Sequence, residues 1–157
     1  MDILAKCDQL AEALTAAVQQ AFLDMASTDV CVRSVDQLSA PAPLGDMTVA
    51  LTLSSPLDGW LLLSAGSQTA DALARRTLTG TAIELNPALL ADCLGEFANV
   101  VAGQLKALSA GTPFHFSFSP PVLVSTDDLR GMIPMHVLVI AFTSDVGEFA
   151  VQLCQRQ

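Results

Sequence analysis

Ile3, Cys7, Leu10, Leu14, Val18, Ala21, Phe22 and Met25 recur at steps of three and four, the spacing of one apolar stripe on an α-helix, and predict a helix over residues 3–26. The period then changes. "DVCVRSVDQL" predicts a strand, which the proline-rich "SAPAPLGD" breaks. "MTVALTL" and "WLLLSA" are strand-sized apolar runs joined by "SSPLDG", whose proline and glycine suit a tight turn, so a hairpin is expected. Helical spacing returns in "SQTADALARRTLTG", with Ser67 placed to cap its start and Gly80 just past its end. It returns again in "NPALLADCLGEFANVVAGQLKAL", where Asn86 is the expected N-cap and Pro87 takes the first helical position, the place where proline is best tolerated. This third helix should run to about Leu108 and stop near Gly111. "TPFHFSFSPPVLV" reads as extended and interrupted by Pro120 and Pro121, and "MHVLVIAFTSDVGEFAVQLC" as two strands around a turn at 144–147. Helix, strands, two helices, strands, with hairpins: the order predicts an α+β, two-layer fold, a mainly antiparallel sheet with long helices packed on one face.

The third helix segregates its residues sharply. At 100° per residue, Asp92, Glu96, Asn99, Gly103 and Lys106 fall within about 40° of one line, while Leu90, Leu94, Phe97, Val101, Leu105 and Leu108 cluster opposite. The apolar side packs on the sheet, so the polar line faces outward, with Glu96 and Asn99 side by side at a spacing of three. A helix buried on one side needs a solvated face, and Asp, Glu and Lys are ordinary there. Asn99 and Gly103 are not, since each disfavours a helix interior, by roughly 0.7 and about 1 kcal/mol relative to Ala. Gly103 leaves bare backbone beside Asn99, and an amide that both donates and accepts can orient a water molecule, which suggests hydrolysis.

The 157 residues suit one domain with one core, spanning 1–157. A mean hydropathy of +0.50 raises the question of membrane insertion, but no apolar run approaches about 18 residues, and the longest, "GWLLLSAG" and "IPMHVLVIAF", are strand-sized. Asp2 and Lys6 stand where a signal peptide would begin, without a basic region leading into an apolar core. The expectation is a cytoplasmic chain whose apolar excess fills a core or a subunit interface. Net charge is −9, and among the seven basic residues only Arg75 and Arg76 adjoin, which argues against nucleic acid and anionic membrane as partners. Cys7, Cys31, Cys93 and Cys154 are far apart within apolar-periodic segments, without metal-ligand spacing, and read as buried thiols. His115 and His136 fall in alternating strand patterns and read as structural.

The run Asp92, Glu96, Asn99, Gly103 on a long helix, followed by "FSPPVLV" with Pro120 and Pro121 entering a strand, resembles the CheC/FliY/CheX phosphatases of bacterial chemotaxis. In that family the proline lies one or two positions further from the asparagine. The likeness extends to "AFLDMASTDV", the "SPLDGWLLLS" hairpin, "LNPALLADCLGEFANVVAG" and "VIAFTSDVGEFAV", in the order of a CheX-like domain, and so covers nearly the whole chain. It implies a phosphatase that hydrolyses the aspartyl phosphate of a response-regulator receiver domain such as CheY. Asn99 would hold the attacking water, and Glu96 would pair with the lysine that receivers keep beside their phosphate. Asp92, Gly103 and Pro120 would lie along the contact. No cofactor of its own is implied; Mg²⁺ would sit in the partner receiver.

The first helix carries Asp8, Glu12 and Thr15 at the same spacing, with Gln19 where Gly103 stands. Some relatives of this type have two such helices, each with an active asparagine. A hydroxyl cannot offer separate donor and acceptor atoms as an amide does, so one active site per chain is expected. A single site resembles CheX more than CheC, which implies a homodimer. The charge of −9 gains no general steering toward an acidic phosphorylation pocket, leaving recognition to local pairing. Two alternatives remain: a non-catalytic CheX-like module that binds a receiver or flagellar partner, and an unrelated dimeric structural domain. The identity of the receiver and of its pathway stays open.

Overall fold

The computed structural model describes residues 7–42, 45–78, 84–131 and 135–156. In chain order these form α1 (Cys7–Ala26), β1 (Val30–Leu38), β2 (Met47–Ser54), β3 (Gly59–Ala65), α2 (Ser67–Thr77), α3 (Pro87–Ser109), β4 (Ser117–Phe118), β5 (Val122–Val124), α4 (Thr126–Arg130), β6 (Met135–Ser144) and β7 (Gly147–Arg156). All strand pairings are antiparallel, in one seven-stranded sheet ordered β1-β6-β7-β3-β2-β4, with β5 also on β2. The hairpins β2–β3 and β6–β7 are those expected from the turn residues. β4 and β5 both pair with β2 as one broken strand, interrupted at 119–121 where the two prolines stand. β1 is the opposite edge.

Alternation divides the strands between two cores. Val49, Leu51, Leu61, Leu63, Leu138, Ile140, Phe142, Val151 and Leu153 face α1, α2 and α3. Ala50, Leu62, Val137, Val139 and Cys154 face the other way, where α4 contributes Leu129. On this second face the Gln152 amide grips the backbone of Ala42, accepting its N–H at 2.9 Å and donating to its carbonyl at 2.6 Å, and so fastens the β1–β2 connection over the sheet. Within the main core an aromatic column ties the layers together. Phe22 of α1 lies 4.7 Å from Phe97 of α3 and 4.4 Å from Phe149 of β7, which stacks on Phe142 of β6 at 5.2 Å.

Several expectations are corrected. Ser67 does not cap α2; Gly66 is the N-cap, and the Asp46 carboxylate accepts the Ser67 N–H at 3.1 Å, so a residue outside the helix does the capping. Leu108, the last member of the apolar stripe, is exposed although Leu105 and Ser109 beside it are buried. Cys31 is exposed on the edge strand, whereas Cys93 and Cys154 are buried, the latter with its thiol pushed up to about 12 by burial. His115 is not in a strand but in the turn after α3, its Nδ1–H donating to the Thr112 carbonyl at 2.8 Å. α4 was not anticipated, although Ser125 and Asp128 spell a capping box and close it reciprocally at 3.1 and 2.8 Å. The expected end of α2 at Gly80 and the start of the first helix before Cys7 lie outside the described residues. No helix among the described residues is long and apolar enough to cross a membrane.

Candidate functional site

α3 begins as its sequence dictates, with the Asn86 side chain accepting the Leu89 N–H at 2.9 Å and Pro87 in the first turn. Its flanks are occupied by α1 and α2 on one side and by β2, β3 and β5 on the other. Leu90, Leu94, Phe97, Ala98, Val101, Ala102 and Leu105 are therefore buried. The arc that remains carries the polar line. Asp92, Glu96 and Lys106 are exposed, and Asn99 and Gly103 are partly exposed. Among the described residues, neither the Glu96 carboxylate nor the Asn99 amide has a hydrogen-bond or ion-pair partner, so both are available to a second molecule. A side chain at Gly103 would meet nothing within 4 Å, so the fold itself does not demand glycine there.

The polar line borders a cleft of about 350 Å³ between α3 and the sheet edge, with Ala91, Asp92, Gly95 and Glu96 on one wall and Val49, Pro121, Val122 and Leu123 on the other. Gly95 makes this wall spacing possible. A Cβ there would stand 3.1 Å from Pro121 Cγ, tighter than ordinary van der Waals contact, so Pro121 packs where the helix has no side chain. Of the two adjacent prolines, Pro121 lines the cleft, while Pro120 is exposed and does not. One turn beyond Gly103, the Lys106 ammonium lies 5.8 Å from the Phe118 ring centroid, seating that end of the polar line on β4.

Gly95 and Leu123 were not anticipated as site residues, and of the two prolines in the resemblance it is Pro121, not the Pro120 expected along the contact, that lines the cleft. Gly95 could have been, since a glycine within a helix costs about 1 kcal/mol relative to alanine and often marks a close approach. Cys93 of α3 is no nucleophile. Burial pushes its thiol up, the Thr77 hydrogen bond works against this, and the Glu96 charge adds to the rise. On α1, Asp8 and Glu12 are exposed and Thr15 partly so, repeating the exposure of Asp92, Glu96 and Asn99. Gln19, however, is engaged, its amide donating to the Val30 carbonyl at 3.2 Å. No group of three or more His, Cys, Asp or Glu among the described residues is arranged to hold a metal ion.

A family model described as chemotaxis phosphatase CheX matches residues 47–143, more than half the chain and every residue of the cleft. The chain belongs to the CheX family. Its fold is shared by solved structures. A CheX chemotaxis protein from Desulfovibrio desulfuricans superposes with a TM-score of 0.80 at 20% identity, covering 94% of this chain and 99% of that one. For CheX from Vibrio vulnificus the values are 0.76 and 19%, with 93% and 98% covered. The CheX–CheY–BeF₃–Mg²⁺ complex from Borrelia burgdorferi gives 0.73 and 16%, with 94% and 97% covered. Among curated proteins no sequence matches. The open antiparallel sheet with its helices is thus the CheX/CheC fold.

Proposed function

We propose that this CheX-family chain is a cytoplasmic phosphatase that hydrolyses the aspartyl phosphate of a CheY-like receiver domain. The observation that carries this reading is the pair Glu96 and Asn99, adjacent on an uncovered arc of α3 and without intramolecular partners among the described residues, with Glu96 on the wall of a cleft. Hydrolysis of an acyl phosphate asks for positioning more than for a nucleophilic side chain. A water oxygen bonds to phosphorus in line with the bond to the receiver's aspartate. That P–O bond breaks with its electron pair leaving on the carboxylate, and both of the water's protons end on the inorganic phosphate, released as H₂PO₄⁻. Asn99 would accept a hydrogen bond from the water at Oδ1 and donate from Nδ2 toward the phosphoryl oxygens, as a glutamine does in GTPases. Glu96 would pair with the receiver lysine beside the phosphate and set the helix in register. Asp92, Gly103 and the proline step would lie along the contact, and Mg²⁺ bound in the receiver's own pocket would supply charge neutralisation there.

The test is the loss of label from phosphorylated receivers of the source organism. The wild-type chain is expected to accelerate it, and Glu96→Ala to raise KM at least about tenfold and lower kcat as well, as expected when one member of a charge pair across an interface is removed. If the wild type binds a receiver without accelerating hydrolysis, the non-catalytic module replaces this reading.

The assembly proposed is a homodimer formed through β1. Among the described residues this nine-residue edge strand has no neighbour beyond β6, and Val32, Val35 and Leu38 are exposed along it. A long apolar edge is a template for pairing, and β1 against β1 about a two-fold axis would satisfy both copies. Sedimentation velocity is expected to report twice 16.4 kDa, and Val35→Lys to shift the chain to monomer. A monomeric wild type overturns the dimer.

A further inference from the structure

We infer that Leu123 is the apolar anchor by which the receiver domain is held against the catalytic arc; this rests on the phosphatase reading above and names the second half of its contact surface. Leu123 and Val122 are 60% and 59% exposed, the two most exposed of the large apolar side chains among the described residues, and they stand side by side on β5 at the mouth of the cleft. The pairing register separates them. Leu123 is opposite Val49, whose side chain faces α3, whereas Val122 is opposite Ala50, whose side chain faces the other core. Leu123 therefore stands on the α3 side of the sheet, across the cleft from Asp92 and Glu96.

The occupant follows from continuity. A stable protein contact covers about 800 Å² on each partner, a patch of roughly 16 Å radius. A folded domain that brings its phosphorylation pocket onto Glu96 and Asn99 cannot leave the facing wall of the same 350 Å³ cleft exposed. The exposed part of Leu123 is then covered by that domain. Its wall is rigid, because Pro121 is seated on Gly95 and β5 is paired to β2. The work is divided between the walls. The carboxylate and amide on α3 give register and chemistry, and the leucine gives affinity that is equal in ground and transition states, which lowers KM without changing kcat.

Leu123→Ser and, as a control on α1 outside the cleft, Leu23→Ser are compared with wild type for dephosphorylation of a labelled receiver and for affinity toward the same receiver activated with beryllofluoride and Mg²⁺. Leu123→Ser is expected to raise both KM and Kd at least tenfold with kcat within twofold, Leu123→Met to restore both, and Leu23→Ser to change them less than threefold. Both positions are exposed, and unchanged melting curves verify that the variants fold. Unaltered KM and Kd in Leu123→Ser, with an active wild type, overturn the anchor and leave the phosphatase reading standing. Equal losses in the two serine variants overturn the assignment to Leu123. If wild type binds a receiver but hydrolyses nothing, the phosphatase reading falls and Kd alone judges the anchor. If it binds no receiver, both fall.

Discussion

Replacing Asn99 with alanine is expected to reduce the kcat of receiver dephosphorylation at least about 100-fold, while Kd for a beryllofluoride-activated receiver changes less than threefold. Loss of one preoriented hydrogen-bonding group that acts on the reacting centre typically lowers turnover by about 10²–10³. The split between kcat and Kd follows from the proposed mechanism, in which the amide would engage the attacking water, a group with no counterpart in the bound ground state. The fold cannot explain such a loss. Asn99 has no partner among the described residues, it is only partly covered, and alanine is the better helix former by roughly 0.7 kcal/mol. The melting temperature of Asn99→Ala should therefore equal or exceed that of wild type. Retained turnover in this variant would remove Asn99 from the chemistry.

The largest expected effect on stability is at Phe22, where Phe22→Ala should cost about 3–5 kcal/mol and lower Tm by on the order of 10 °C. Phe22 has no solvent exposure and occupies the middle of the aromatic column, against Phe97 on one side and Phe149 on the other. Truncation removes the burial of the ring and opens a cavity where α1, α3 and the sheet meet, which they can close only by shifting. Phe97 lies between Glu96 and Asn99 in the chain and points the opposite way, so the column also sets the rotation of α3 about its axis. Urea unfolding monitored by circular dichroism measures the effect. A fall in midpoint worth less than about 1 kcal/mol, with the slope unchanged, would show that the column is not the joint between the layers.

The two experiments address the two arcs of α3, the buried one packed in the core and the open one proposed to meet the partner. Much of that helix was legible in advance. Asn86 and Pro87 mark its start, and the period of its apolar residues separates Phe97 and Val101 from Glu96 and Asn99, because capping and helical phase act within a few residues of one another. Two of the errors share a cause: Ser67 lost the cap to Asp46 across a connection, and Cys31 sits on the sheet's outer edge, each decided by residues distant in the chain. α4 is different, because its capping box at Ser125 and Asp128 is a local signal.

The linear order of residues determined the helices, the two hairpins, the antiparallel character of the sheet and the outward line from Asp92 to Lys106, since each depends on local backbone preference and on the periodic burial of one face. Which strand became an edge, which proline meets α3, and what stands opposite Glu96 were decided only on folding. Pro121 reaches Gly95, and Leu123 faces Glu96, because β5 returns to pair with β2, strands more than seventy residues apart. Such a pairing reflects the free energy of the whole sheet, in which the edge left by β2 is closed, and no short stretch of sequence carries that information.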